Sequence, residues 1–179
     1  QVVLTRMISD LDQPWAIGFL PGGGYLITER DGVLLSVQDG VVEKVVGVPK
    51  VAASGQGGLL DVMVPRDFDQ SRDVFLSYSK QISGGAGTAM AVGKLSQDRT
   101  KLTGVRDLFV MTPGASGGRH FGSRIAFDDD HVFFTVGDRG VRENGQDLKT
   151  HAGTVIRLKR DGSVPDDNPF VGDGAALDE

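Results

Sequence analysis

Short apolar runs separated by turn residues recur along the chain. Pro14-Trp15-Ala16-Ile17-Gly18-Phe19-Leu20 is followed by Pro21-Gly22-Gly23-Gly24 and a second run, Tyr25-Leu26-Ile27-Thr28. Asp31-Gly32 leads into Val33-Leu34-Leu35-Ser36-Val37, and Asp39-Gly40 turns the chain into Val41 to Val46. Aspartate before glycine between apolar runs is a strong hairpin signal, because tight hairpin turns need residues that tolerate positive φ. The pattern predicts four short strands in one antiparallel meander.

The same unit returns twice. Its second copy runs through Gly58 to Val64 and Val74 to Ser79, with Met90 to Leu95 and Leu108 to Met111 expected to complete it. Its third copy has Arg124 to Phe127, the turn Asp128-Asp129-Asp130, Val132 to Gly137, and Thr154 to Leu158 as a third strand. Ile17, Val62 and Ile125 mark the same point in each copy. Four-stranded units repeating in this way are the signature of a β-propeller. No stretch holds a helical period for more than a turn or two. The predicted class is therefore all-β, with approximate blades at 1–50, 51–115 and 116–179. Propellers close with four to eight blades of roughly 40–50 residues, and a three-blade arc leaves strand edges and a core face uncovered. The remaining blades are expected from a second chain or segment, so this sequence reads as about half a protein.

Composition narrows the function. The chain has 179 residues, enough to bury a real core, and its 26 glycines favour short strands and tight turns over helices. A net charge of −5 argues against nucleic-acid binding, which needs a basic face. No apolar run approaches the roughly 20 residues that span a bilayer as a helix. The absence of cysteine excludes disulfides, thiolate metal sites and a cysteine nucleophile. The chain opens at Gln1 without a signal-like segment, and a processed or trimmed form is expected.

Several polar positions are candidates for chemistry. Ser54-Gly55-Gln56-Gly57-Gly58 precedes a strand. It reads either as a loop needing positive φ or as backbone approaching a ligand, with Gln56 able to donate and accept. It fails as a dinucleotide fingerprint, since no helix follows. Gly114-Ala115-Ser116-Gly117-Gly118 matches the G-x-S-x-G elbow in letters only, and Ser116 is read as turn chemistry. His120 lies just before the first strand of the third unit, as Gln56 does for the second. In a propeller those two positions meet at one mouth of the central channel. His120 reads as a base near neutral pH or as a hydrogen-bonded structural histidine. Asp138, in Gly137-Asp138-Arg139-Gly140, would orient and stabilise it, or else bond its own turn. His131 is expected in a solvent-exposed hairpin turn, and His151 is assigned no role. The acidic loop Asp161 to Pro169 offers oxygen atoms for a hard cation but lacks a calcium-loop spacing, and is read as a rigid connector.

Taken together, the motifs resemble the soluble glucose/sorbosone dehydrogenase family, most nearly its bacterial aldose sugar dehydrogenases. The carrying segments are Leu11 to Pro21, Gly55 to Val62, His120 to Arg124, Gly137 to Gly140 and Asp161 to Phe170, in the family's order over nearly the whole chain. The resemblance implies a six-bladed propeller using pyrroloquinoline quinone and Ca2+, with an aldose as substrate and an external electron acceptor. It makes His120 the general base in a hydride transfer from the sugar's C1 to the quinone, giving a lactone. It makes Asp138 the carboxylate that orients that base, and Gln56 a contact to sugar or cofactor. Arg139 is placed beside them as a substrate- or cofactor-binding residue, while the roles of Arg142 and Gln146 do not carry over. Arg119 stands where the family varies, so substrate preference is expected to vary with it. Metal ligands are not assigned in this half. The family's Arg-Asn-x-Gln-Gly segment is absent, so this chain alone is not expected to hold the cofactor tightly. The resemblance also implies a periplasmic or secreted location. The competing readings are a non-catalytic binding propeller of the same family and, more distantly, a calcium-dependent lactonase.

Overall fold

The computed structural model describes residues 2–179. Three antiparallel sheets follow one another along the chain. The first contains β1 (Pro14–Phe19), β2 (Tyr25–Glu29), β3 (Val33–Gln38) and β4 (Val41–Val45), hydrogen-bonded in that order. The second contains β5 (Leu59–Met63), β6 (Asp73–Ile82), β7 (Gly85–Leu95) and β8 (Leu102–Val110), again in chain order, with the one-turn helix α1 (Phe68–Ser71) between β5 and β6. The third pairs β9 (Gly122–Phe127), β10 (His131–Val136) and β11 (Val155–Lys159), and a 3₁₀ turn at Arg142–Gln146 lies between the last two.

The turns form for the reasons the sequence suggests. Asp39 and Gly40 both take positive φ, 51° and 80°, the pairing that a two-residue hairpin loop requires. Two differences from expectation concern the second sheet. β7 begins at Gly85 rather than Met90, and pairs with β6 in unbroken register from Asp73↔Lys94 to Ile82↔Gly85. β8 covers Leu102–Val110 rather than Leu108 to Met111. Its polar residues fit because it is the outer strand of its sheet, wetted on one side.

The second sheet is buried on both faces, which explains why Val74-Phe75-Leu76 is apolar without alternation. Leu76, Tyr78, Ala89 and Ala91 point into a core shared with Leu26, Leu34 and Val45 of the first sheet. Phe75, Met90, Val92 and Phe109 point the other way, into a core with Ile125, Val132, Phe134, Ile156 and Leu158 of the third. Side chains alternate between faces along a strand, so one sheet glues two neighbours. Each fully buried Leu or Phe contributes about 1.5–3 kcal/mol to that packing.

The leading strands β1, β5 and β9 lie side by side, as the first strands of successive propeller blades do. A polar cross-link ties them. The buried Asp61 carboxylate on β5 accepts the Ile125 backbone N–H and the Arg124 Nη1 of β9, both at 2.9 Å. The Arg124 guanidinium in turn sits 4.4 Å over the Trp15 ring of β1. This alignment brings the loops entering β5 and β9 to the same end of the molecule.

Candidate active site

Those two entry loops are stitched together. The Gln56 backbone N–H donates to the Gly118 carbonyl at 2.7 Å, and the His120 backbone N–H donates to Gln56 Oε1 at 2.7 Å. The approach is close enough to demand glycine. Gly55 has φ of 60°, and a Cβ there would collide with the Gly118 carbonyl. The glycine-rich run before β5 thus serves loop–loop contact. Gln56 spends its carbonyl oxygen on the backbone of His120 rather than on open space, and its amide nitrogen makes no hydrogen bond among the described residues.

His120 is presented to solvent. Its side chain is 51% exposed, and its backbone sits in the left-handed region at φ 54°, unusual for a residue with a Cβ. Nδ1 lies 2.7 Å from Asp138 Oδ1. Asp138 leaves the end of β10, and Oδ1 also accepts the Gly140 backbone N–H at 2.8 Å. The Gly140 bond first, then the His120 bond, with the nearby Arg119 charge adding less, hold the Asp138 carboxyl below the usual carboxylate range. An ionised carboxylate only accepts. Nδ1 is therefore the donor in this contact, and Nε2 has no protein partner among the described residues. Chemically, this is an oriented imidazole able to take a proton.

Arg139, expected as a substrate- or cofactor-binding residue, is folded into the loop that carries His120. It is 3% exposed. Its guanidinium stacks 3.5 Å from the Phe121 ring centroid, Nη2 donates to the Gly117 carbonyl at 2.6 Å, and Nη1 donates to the Arg119 carbonyl. Arg119 is exposed over Gly140, and an open depression of about 620 Å³ lies between residues 115–119 and 139–141. Phe121 and Thr88, neither expected at the site from the sequence, also shape this loop. Thr88 Oγ1 donates to the Phe121 carbonyl at 2.8 Å, which also receives the Gly137 N–H, fixing the residue after His120. The only sequence signal for Thr88 is a lone hydroxyl in the small-residue run Gly85 to Ala89 that opens β7.

The other polar candidates do not join this site. Ser116 is followed by β9 and not by a helix, as turn chemistry requires. His131 opens β10 instead of lying in an exposed turn: its side chain is 18% exposed, wedged between Asp128 and Arg157. His151 is buried edge-on to Phe109 and accepts the Thr112 N–H at Nδ1. In the acidic loop, Asp161 bonds Ser163 and Asp167 pairs with Arg157. Among the described residues, no group of three or more His, Asp or Glu side chains gathers to hold a metal.

The family model for glucose/sorbosone dehydrogenases matches residues 11–179. The chain belongs to that family. It is 45% identical over 174 residues to the aldose sugar dehydrogenase YliI of Escherichia coli, a match covering 94% of this chain and 47% of that protein. The apo crystal structure of the soluble aldose sugar dehydrogenase from Escherichia coli superposes with a TM-score of 0.91, covering 94% of this chain and 50% of that one. A PQQ-bound aldose sugar dehydrogenase from Streptomyces coelicolor superposes at 0.83 with 26% identity, over 96% of this chain and 52% of that one. The family member described here is all-β and of the propeller class, and it spans about half the length of these relatives. Among the described residues, no helix is long and apolar enough to cross a membrane.

Proposed function

We propose that this chain supplies the proton-handling half of a quinone-dependent aldose dehydrogenase, oxidising a sugar at its anomeric carbon to the lactone. The observation that carries the proposal is the pairing of a solvent-facing imidazole with an ionised carboxylate, His120 Nδ1 to Asp138 Oδ1 at 2.7 Å. A module that only binds needs no oriented base.

The donors this chain offers suit a planar, carboxylate-bearing quinone: the exposed Arg119 guanidinium and the Gln56 amide nitrogen. Pyrroloquinoline quinone, when bound, supplies the acceptor for a hydride with its electron pair. His120 Nε2 takes the proton of the C1 hydroxyl as the C1–H bond breaks and the C1=O bond of the lactone forms. Asp138 holds the Nδ1 proton in place and stabilises the imidazolium that results. Gln56, through the His120 backbone, keeps that ring at the mouth shared by β5 and β9. Among the described residues, no group of three or more His, Asp or Glu side chains gathers to hold the Ca2+ that the resemblance implies. The remaining blades, contributed by another chain or segment, complete the site, and the family resemblance implies a periplasmic or secreted location.

The test is sugar-dependent reduction of an artificial electron acceptor by the assembled protein, this chain together with the remaining blades. Turnover only with added quinone is the expected result. Sugar binding without turnover at saturating quinone would identify a binding propeller, and lactone hydrolysis without quinone or acceptor would identify a lactonase.

A further inference from the structure

Asp138 and Arg139 are consecutive, yet they engage the loop of His120 from opposite sides. Asp138 meets the imidazole ring in the open. Arg139 turns inward and takes the backbone. Its two terminal nitrogens reach the carbonyls of Gly117 and Arg119, the second of these being the peptide oxygen that precedes His120. Its flat face lies on Phe121, the residue that follows. Residues on both sides of His120 are therefore held by one side chain.

We propose that Arg139 is a positioning residue for His120, clamping the Gly117–Phe121 backbone so that the imidazole stays in line with Asp138. Three further observations support the assignment. Arg139 has no carboxylate partner, and its Nε is buried without a hydrogen-bond partner among the described residues. Burying a guanidinium on such terms is costly, and surface arginines avoid it. His120 and Arg139 both occupy the left-handed region, φ 54° and 58°, and conformations of that kind persist where surrounding contacts over-determine them. Finally, Arg139 has the geometry for two carbonyls where lysine does not, since a planar fork reaches both at once while stacking on an aromatic face. Its cation is spent on loop dipoles and a ring rather than on a ligand.

This inference rests on the reading of His120 as the base, and its test separates the two. In the assembled, cofactor-free protein, the Nδ1 proton and ring nitrogens of His120 are followed by NMR in the wild type, Arg139→Lys and Arg139→Ala. The substituted proteins are expected to lose or shift the Nδ1–H signal of the His120–Asp138 bond, Arg139→Lys less than Arg139→Ala. With quinone bound, kcat is expected to fall on the order of 10–100-fold with KM for the sugar nearly unchanged, as small misplacements of a reacting group do. Added guanidinium ion should restore part of both signals in Arg139→Ala. Should Arg139→Ala fail to fold, Arg139→Lys carries the same readouts. A wild-type Nδ1–H signal and wild-type kcat in the folded variant, whatever its unfolding midpoint, would overturn the clamp. If instead His120→Ala keeps full activity while the NMR signals move as expected, the clamp stands and the base assignment fails.

Discussion

His120 Nδ1 and Asp138 Oδ1 lie 2.7 Å apart, and the same Oδ1 accepts the Gly140 backbone N–H at 2.8 Å. The carboxylate is thus pinned by its own turn before it meets the histidine. Asp138→Asn keeps the shape but removes the charge that holds the Nδ1 proton and stabilises the imidazolium. Turnover is expected to drop on the order of 10²–10⁴-fold, read from kcat in the assembled, quinone-loaded protein. Near-normal kcat would show that the pair does not act as a unit.

The same pair makes a prediction about acid. The Gly140 and His120 bonds hold the Asp138 carboxyl below the usual range in the folded protein. Its stabilising contribution is therefore complete above the unfolded value of about 3.9 and is lost as pH falls through the lower folded value. The stability difference between wild type and Asp138→Asn, from denaturant midpoints, is expected to persist down to about pH 5 and to shrink only in stronger acid. A difference that fades between pH 5 and 7 would contradict this assignment.

Asp61 links β5 to β9 through a buried acceptor. Asp61→Ala leaves the Ile125 N–H, accepted at 2.9 Å, without a partner and frees Arg124 from its place over Trp15. A loss of about 1–3 kcal/mol in unfolding free energy is expected. An unchanged denaturation midpoint would show that apolar packing alone holds the sheets in line.

Gly55 stands where the two site loops touch. Gly55→Ala forces a Cβ into the left-handed region and against the Gly118 carbonyl. The conformational part alone costs about 1–2 kcal/mol. The midpoint of unfolding is expected to fall, and the His120 backbone amide, bonded to Gln56, is expected to lose hydrogen-exchange protection. Wild-type protection in the variant would mean the loops are held apart from Gly55.

Much of this architecture is legible in the residues. Asp39-Gly40 announces its hairpin, and the placement of Gln56 and His120 before equivalent strands foretells that they meet. The start of β7 is not legible, because Gly85-Ala86-Gly87-Thr88 carries no apolar alternation and is strand only through its pairing with β6. The ends of β8 are hidden in the same way, since an outer strand tolerates Thr103, Arg106 and Asp107. Arg139 is the clearest case among the site residues. A loop arginine beside a candidate carboxylate reads as a ligand-facing group, and only folding brings the Gly117 and Arg119 carbonyls and the Phe121 ring beneath it. His131 is similar: its neighbours Arg157 and Asp167 arrive from β11 and the loop beyond it.

The role of His120 as base is tested most directly by sugar-dependent dye reduction with His120→Ala in the assembled protein, quinone binding being followed separately by absorbance titration. The variant is expected to bind quinone as the wild type does while turnover falls by at least two orders of magnitude, on the scale of a lost general base. Wild-type turnover with quinone bound would contradict that role.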